Sequence, residues 1–323
     1  MGSRRSNSGC QVRLARFKPQ GFYNTQQTIH SMSNKERVGF IGLGAMGVGM
    51  AANVCTAGYP LTVMGHTRRE PVERLLAMGA SEVKTPGELR EQCDIIILCV
   101  TTSDAVEEIV KGDQGLLSRG ENPFMLIDCG TSRPDSTLAL GKLLEQSGCS
   151  MIDVPLGKSA AAAEEGTLNM MAGGSDENFA RAKPLLETMS ENLFHVGGLG
   201  IGHRIKLINN GYSMAVAVLA AEAMAVAREG GVDLKLVHDV MGAGPNRSDF
   251  FDWIMESAVH GDESKLAFAV KNGFKDMGYF QAMADEVGVD ATLPAAAHAR
   301  MAQIVEAGHG EDNIPSVMRH IRK

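Results

Sequence analysis

The sequence predicts an α/β chain in which a doubly wound, mostly parallel sheet is followed by a second, all-helical domain. Three observations carry this. The glycine-rich stretch Gly42-Leu43-Gly44-Ala45-Met46-Gly47 joins an apolar run to a helical one. Continuous apolar runs then alternate with helical stretches, as strands covered on both faces require. From Arg204 onward strand signals cease and the chain reads as helix almost throughout.

Val38-Gly39-Phe40-Ile41 is the first expected strand, and Val48 to Ala57 is the helix behind the glycine turn, closed by Gly58. Leu61-Thr62-Val63-Met64 follows as the second strand and completes a βαβ unit. A helix around Pro71 to Met78 leads to the buried run Ile95 to Val100, a helix over Asp104 to Val110 and a strand over Phe124 to Ile127. Pro134 to Ser147 is helical, Met151-Ile152-Asp153 opens a strand, and Leu168 to Ala172 and Leu193 to Val196 are short strands. A long helix from Arg204 then ends at the Gly230-Gly231 stop signal. The domain boundaries that follow are a basic arm over 1–36, the sheet domain over 37–196 and the helical domain over 197–323.

With 323 residues, 44% of them hydrophobic, two ordinary cores are expected. A net charge of −7 argues against a nucleic-acid partner. The six cysteines are scattered without CxxC spacing and read as small, reduced core residues of an intracellular protein, and no metal site is expected. No window reads as apolar enough to span a bilayer, since even the Ala-rich stretch over 214–227 carries Glu222. The first 31 residues hold five basic side chains (Arg4, Arg5, Arg13, Arg16, Lys18) and no acid, so disorder is expected there. A cytoplasmic location is expected. A mitochondrial one is the alternative, because basic, Ser-containing and acid-free is also a transit-peptide composition.

The glycine turn is a phosphate cradle. Gly42 allows the tight turn, Gly44 lets backbone amides approach a pyrophosphate, and Gly47 lets the helix pack closely on its strand, with Leu43, Ala45 and Met46 between them. The following helix aims its positive dipole end at the phosphates. In context this is a Rossmann-type dinucleotide site, with Val100 and Thr101 facing the cofactor from the end of the central run. The second strand ends in Gly65-His66-Thr67-Arg68-Arg69, with no acid for ribose hydroxyls. His66, Thr67, Arg68 and Arg69 instead suit a 2′-phosphate, so NADP is the expected cofactor and NAD stays possible. A solvated basic turn is the alternative reading.

Lys206 and Asn210 are four apart near the start of the long helix and share one face, with Asn209 beside them. A lysine desolvated by a cleft can give a proton to a carbonyl oxygen as hydride reaches the carbon, and an Asn amide can hold that oxygen. An exposed Lys and a capping Asn fit the same spacing. His195, His203 and His238 have no partner at triad or ligand spacing and read as satisfied structural residues. Asp153 reads as the cap of the Gly157 loop, Phe250, Phe251 and Trp253 as core packing, and the many methionines as adaptable core.

Together these residues resemble the β-hydroxyacid dehydrogenases, the group that acts on 3-hydroxyisobutyrate and tartronate semialdehyde. The resemblance covers 37–323. It rests on the glycine turn, on Asp153-Val154-Pro155 with Gly166-Thr167-Leu168, on Gly200-x-Gly202-x-x-x-Lys206-x-x-Asn209-Asn210, and on Lys275-Asp276. It implies that Lys206 is the general acid in reduction and base in oxidation, and that Asn210 orients the substrate with Asn209 beside it. It implies further that Thr131 lies at the nicotinamide and substrate, that Lys275 serves the cofactor side, and that a homodimer or homotetramer forms through the helical domain.

One departure bears on the substrate. Where the family has Ser-Gly-Gly, this chain has Gly157-Lys158-Ser159. A basic residue followed by a small hydroxyl residue is similar to the members that reduce 3-sulfolactaldehyde, where that pair grips a sulfonate. The implied substrate is a short anionic aldehyde, sulfonate or carboxylate, reduced to the corresponding 3-hydroxy acid. A carboxylate semialdehyde reductase and, more remotely, a non-enzymatic dinucleotide-binding scaffold are the alternatives.

Overall fold

The computed structural model describes residues 35–321, which from Glu36 onward pack as one compact unit. The expected arm, up to residue 34, lies outside the described residues. The first βαβ unit is β1 (Val38–Ile41), α1 (Gly47–Thr56) and β2 (Leu61–Met64), matching the sequence reading to within a residue. It is followed by α2 (Glu70–Ala77), β3 (Ser81–Val83), α3 (Pro86–Gln92), β4 (Ile95–Leu98), α4 (Ser103–Lys111), β5 (Met125–Asp128), α5 (Pro134–Gln146) and β6 (Ser150–Asp153). Next come β7 (Leu156–Gly157), α6 (Ala160–Glu165), β8 (Leu168–Gly173), α7 (Asp176–Leu186) and β9 (Ser190–Gly197). The helical half is α8 (Ile201–Glu229), α9 (Leu234–Gly242), α10 (Asp249–His260), α11 (Val270–Glu286), α12 (Thr292–Ile304) and a closing 3-10 helix, Ile314–His320.

The sheet runs β3-β2-β1-β4-β5-β6-β8-β7, with β9 on β8. It is parallel from β3 to β6, and only β8 runs antiparallel to β6 and β7. Helices cover both faces. Ile95 and Ile97 of β4 pack with α1, α6 and α7, whereas Ile96 and Leu98 pack with α3, α4 and α5. Two-sided burial explains why this strand reads as an unbroken apolar run. In the helical half the buried methionines Met214, Met224, Met255, Met277, Met301 and Met318 share one core with Phe251, as the sequence suggested, while Trp253 stands 38% exposed at its edge.

Several elements escaped the sequence reading: β3, α3, β7, α6 and α7. All but the 11-residue α7 are short, and α3 carries a legible start. Thr85 accepts from the Glu88 amide and Glu88 returns a bond to the Thr85 amide, with Pro86 at the first helical position. The run expected to continue to Val100 stops at Leu98, because the chain leaves the sheet at its carboxyl end and Thr102 caps α4. A second correction concerns α8, which is long and apolar enough by length and composition to cross a membrane. Its Met214, Val218, Ala221 and Ala225 are core residues of the helical bundle, and a long core helix passes that composition test equally well.

Candidate active site

In an open α/β sheet the ligand crevice lies at the carboxyl ends of the strands, where the order reverses. Here that point is between β1 and β4, and the loops after β1, β4 and β5 line it. The glycine turn leaves β1 with Gly42 at φ +99°, and a Cβ there would stand 2.3 Å from the Cys99 carbonyl oxygen. A Cβ on Gly47 would stand 1.9 Å from the Gly42 carbonyl oxygen, so both positions are closed to any side chain. A Cβ on Gly44 would meet nothing within 4 Å. The turn is therefore sealed underneath and open above, and no side chain caps the start of α1, whose positive dipole end faces the turn. Val100 touches this cradle through its Cγ1, 3.1 Å from the Gly42 Cβ position. The cradle fits the pyrophosphate of a dinucleotide.

The far end of the crevice corrects the sequence reading of an acid-free site. Glu82, from β3, stands beside Gly65 at the end of β2, and Arg69 forks onto it with contacts of 2.6 and 3.0 Å. This pairing holds the Glu82 carboxyl below its ordinary range. Arg69, expected to meet the cofactor, thus spends its guanidinium on Glu82. Thr67 Oγ1 and His66 Nδ1 pair at 2.8 Å, and Arg68 has no hydrogen-bond or ion-pair partner among the described residues.

At the other end α8 and α11 meet the strand loops. Lys275 Nζ donates to the carbonyl oxygens of Thr101 at 2.6 Å and Thr131 at 3.0 Å, and lies 2.8 Å from Asp276 Oδ1. It also sits over the Tyr279 ring at 4.9 Å, and the Tyr279 hydroxyl accepts from the Ser103 amide at 3.3 Å. Asp276 Oδ2 accepts from Asn210 Nδ2 at 2.7 Å, and Asn210 Oδ1 accepts from Asn209 at 3.2 Å. Lys206 lies one turn before Asn210 on the same helix. It is half-buried and makes no ion pair or hydrogen bond among the described residues. Burial pushes its pKa below the ordinary lysine value; Lys275 adds to that, and Asp276 opposes it. Lys206, Asn209, Asn210, Lys275, Thr101 and Thr131 are thus brought into one neighbourhood. Asp276 and Tyr279, which organise it, were missed as individual residues, although Asp276 stands in the Lys275-Asp276 motif.

The start of α8 is fixed from the sheet. Asp153, fully buried, accepts the Gly200 amide on Oδ1 and the His203 amide on Oδ2, each at 2.7 Å. It therefore caps α8 and not the Gly157 loop, contrary to the sequence reading. Burial pushes its pKa up against those two amides. His203 is fully buried as well, with Nδ1 2.8 Å from Thr137 Oγ1 and Nε2 3.8 Å from Asp128 Oδ2.

Gly157, Lys158 and Ser159 lead into α6, whose first turn Ser159 caps. Asn53 of α1 donates to the Ala163 carbonyl of α6 at 2.8 Å, tying this loop to the helix of the cradle. Lys158 is the one non-glycine residue with positive φ among the described residues, at 75°, and its ammonium pairs with Glu191 of β9. No hydrogen bond or ion pair among the described residues joins it to Lys206.

Residues 37–197 match the family described as the NAD binding domain of 6-phosphogluconate dehydrogenase, and residues 200–321 that described as NAD-binding of NADP-dependent 3-hydroxyisobutyrate dehydrogenase. The 3-sulfolactaldehyde reductase of Escherichia coli (strain K12) is 32% identical over 286 residues, covering 88% of this chain and 95% of its own. The chain belongs to the 3-hydroxyisobutyrate dehydrogenase-like family of β-hydroxyacid dehydrogenases. The mitochondrial 3-hydroxyisobutyrate dehydrogenase of Mus musculus is 30% identical, with 100% and 98% covered. A crystal structure of 3-hydroxyisobutyrate dehydrogenase from Salmonella typhimurium superposes with a TM-score of 0.77 at 25% identity, covering 89% of this chain and 100% of that one. This β-hydroxyacid dehydrogenase is accordingly an NAD(P)-dependent oxidoreductase acting on CH–OH groups.

Proposed function

We propose that the protein reduces a short aldehyde bearing an anionic group to the corresponding 3-hydroxy acid, with NADPH and with Lys206 as the proton donor. The supporting observation is the lone, desolvated Lys206 ammonium beside the Asn210–Asp276–Lys275 chain that ends at the crevice loops. A lysine with a depressed pKa can protonate a carbonyl oxygen near neutral pH and recover the proton in oxidation. Asn210, its carboxamide fixed by Asp276, is suited to hold that oxygen, with Asn209 and Thr131 beside it. The bound nicotinamide supplies the hydride. Gly42 to Gly47 would hold its pyrophosphate, with Val100 and Thr101 alongside. Lys275 holds the two loops together and acts as a positioning residue.

The preference for NADPH rests on Arg68, Thr67 and His66, with Glu82 neutralised by Arg69. A carboxylate so paired repels a 2′-phosphate less than a bare one would. For the substrate anion we assign Lys158, Ser159 and Gly157. A glycine would sit at φ 75° without strain, so the lysine there supports a side chain retained for use. A sulfonate, with three weakly basic oxygens, suits that added cation. The carboxylate reading is favoured by Glu191, which offsets the Lys158 charge and leaves hydroxyl and amide donors.

Turnover on a panel of sulfonate and carboxylate aldehydes, read as kcat/KM, separates the two. Lys206→Ala should keep NADPH binding and lower kcat by ~10²–10⁴. Full turnover by that variant would overturn the assignment. Self-association is proposed through α8, where Ile208, Tyr212, Leu219 and Val226, spaced by four, seven and seven residues on one face, are 56–75% exposed. Leu219→Lys should shift the mass in solution from a dimer or tetramer to a monomer, and an unchanged mass would move the interface elsewhere.

A further inference from the structure

The sequence gives no sign of a metal site, because His309, Asp312 and His320 follow no familiar ligand spacing. The fold brings them together. Asp312 Oδ2 lies 2.9 Å from His320 Nε2 and 3.3 Å from His309 Nδ1. One ligand atom from each of the three lies within 4.8 Å of the other two. We propose that these three side chains form a binding site for a divalent transition-metal ion, with Zn2+ the preferred occupant, fastening the C-terminal 3-10 helix to the turn after α12.

The spacing suits the ion. Bonds of about 2.0–2.1 Å from zinc to imidazole nitrogen or carboxylate oxygen place neighbouring ligand atoms of a tetrahedron about 3.3–3.4 Å apart. The two contacts to Asp312, at 2.9 and 3.3 Å, approach that edge, while the two imidazoles overlap with ring centres 4.3 Å apart, so binding requires both rings to turn toward one ion. Two imidazoles and one carboxylate favour zinc and its neighbours over magnesium or calcium, which prefer all-oxygen sets. Three protein ligands leave a fourth position for water. His309 is exposed and the other two are half-buried, which gives an ion an entry path.

The backbone that presents the ligands is already fixed. The Asp312 amide donates to the His309 carbonyl at 3.2 Å, and the Asp312 and Gly310 carbonyls accept from the Val270 and Lys271 amides at 2.8 and 2.9 Å. The neighbouring cations are engaged elsewhere, Lys271 with Glu311 and Arg319 with Glu263. His320 ends the 3-10 helix whose Val317 and Met318 complete the helical core against α8. An ion here ties the last piece of that core to the turn it lies beside, so binding should raise the melting temperature.

The test uses the full, untagged chain after chelator treatment and dialysis. Titration with Co2+ should give the intense visible absorption of a tetrahedral site at one equivalent, displaced by Zn2+, and Zn2+ should raise Tm. His320→Ala and Asp312→Asn should each weaken Co2+ binding by more than about 100-fold, beyond what loss of an outer-shell partner costs. X-ray absorption of the Zn2+-loaded wild type should show two imidazoles and a carboxylate, which keeps the proposal testable should a variant not fold. No saturable spectrum at millimolar Co2+, undiminished binding in folded variants, or a ligand set without imidazole would each overturn it.

Discussion

Lys275 Nζ lies 2.6 Å from the carbonyl oxygen of Thr101, so a side chain of α11 holds the loop that follows β4. The same ammonium reaches Thr131, and its carboxylate neighbour Asp276 holds Asn210. The helical half is thereby fastened to two strand loops at the point where Lys206 sits in the field of both charges.

That field sets a pH dependence with opposite signs for its two sources. Reduction needs protonated Lys206, so kcat should fall as pH rises through its depressed pKa. Asp276 raises that pKa, and Asp276→Asn should move the alkaline limb to lower pH. Lys275 lowers it, and Lys275→Met should move the limb to higher pH while also raising KM for the cofactor. Shifts of the same sign in pH–rate profiles of the two variants would contradict the arrangement.

Glu82 and Arg69 predict a change in cofactor choice. Glu82→Gln removes the charge that engages Arg69 and leaves the guanidinium available to a 2′-phosphate. The ratio of kcat/KM for NADPH over NADH should rise several-fold. A fall would mean that Glu82 serves only to anchor Arg69.

The buried Asp153 cap predicts a loss of stability. Asp153→Ala leaves the Gly200 and His203 amides without their acceptor at the start of α8. Two charge-assisted bonds less the relief of a buried carboxylate give a cost of about 2–4 kcal/mol. Denaturant unfolding should show this, together with a lower kcat because Lys206 rides on the same first turns. An unchanged midpoint would show that the cap contributes nothing net.

At Lys158 stability and activity should part company. Lys158→Gly removes a left-handed non-glycine residue and should stabilise the fold by up to about 1 kcal/mol. The exposed pair with Glu191 offsets little of that. The KM for an anionic aldehyde should rise by roughly 10–100-fold as a charged contact is lost. An unaltered KM would remove Lys158 from the substrate site.

The fold class was legible in the order of residues, because buried parallel strands must be continuous apolar runs and a pyrophosphate cradle must be glycine where backbone meets backbone at Gly42 and Gly47. That order also placed Lys206 and Asn210 on one helix face, since helical spacing is local. Contacts between residues far apart in the chain were decided by the tertiary structure alone. Glu82 reaches Gly65 only because β3 pairs with β2, and Asp153 caps α8 only because β6 ends beneath it. His320 meets Asp312 only where the closing 3-10 helix turns back. Short elements such as β3 and α6 were illegible for the same reason: their few residues are stabilised by the surfaces they pack against rather than by any period of their own.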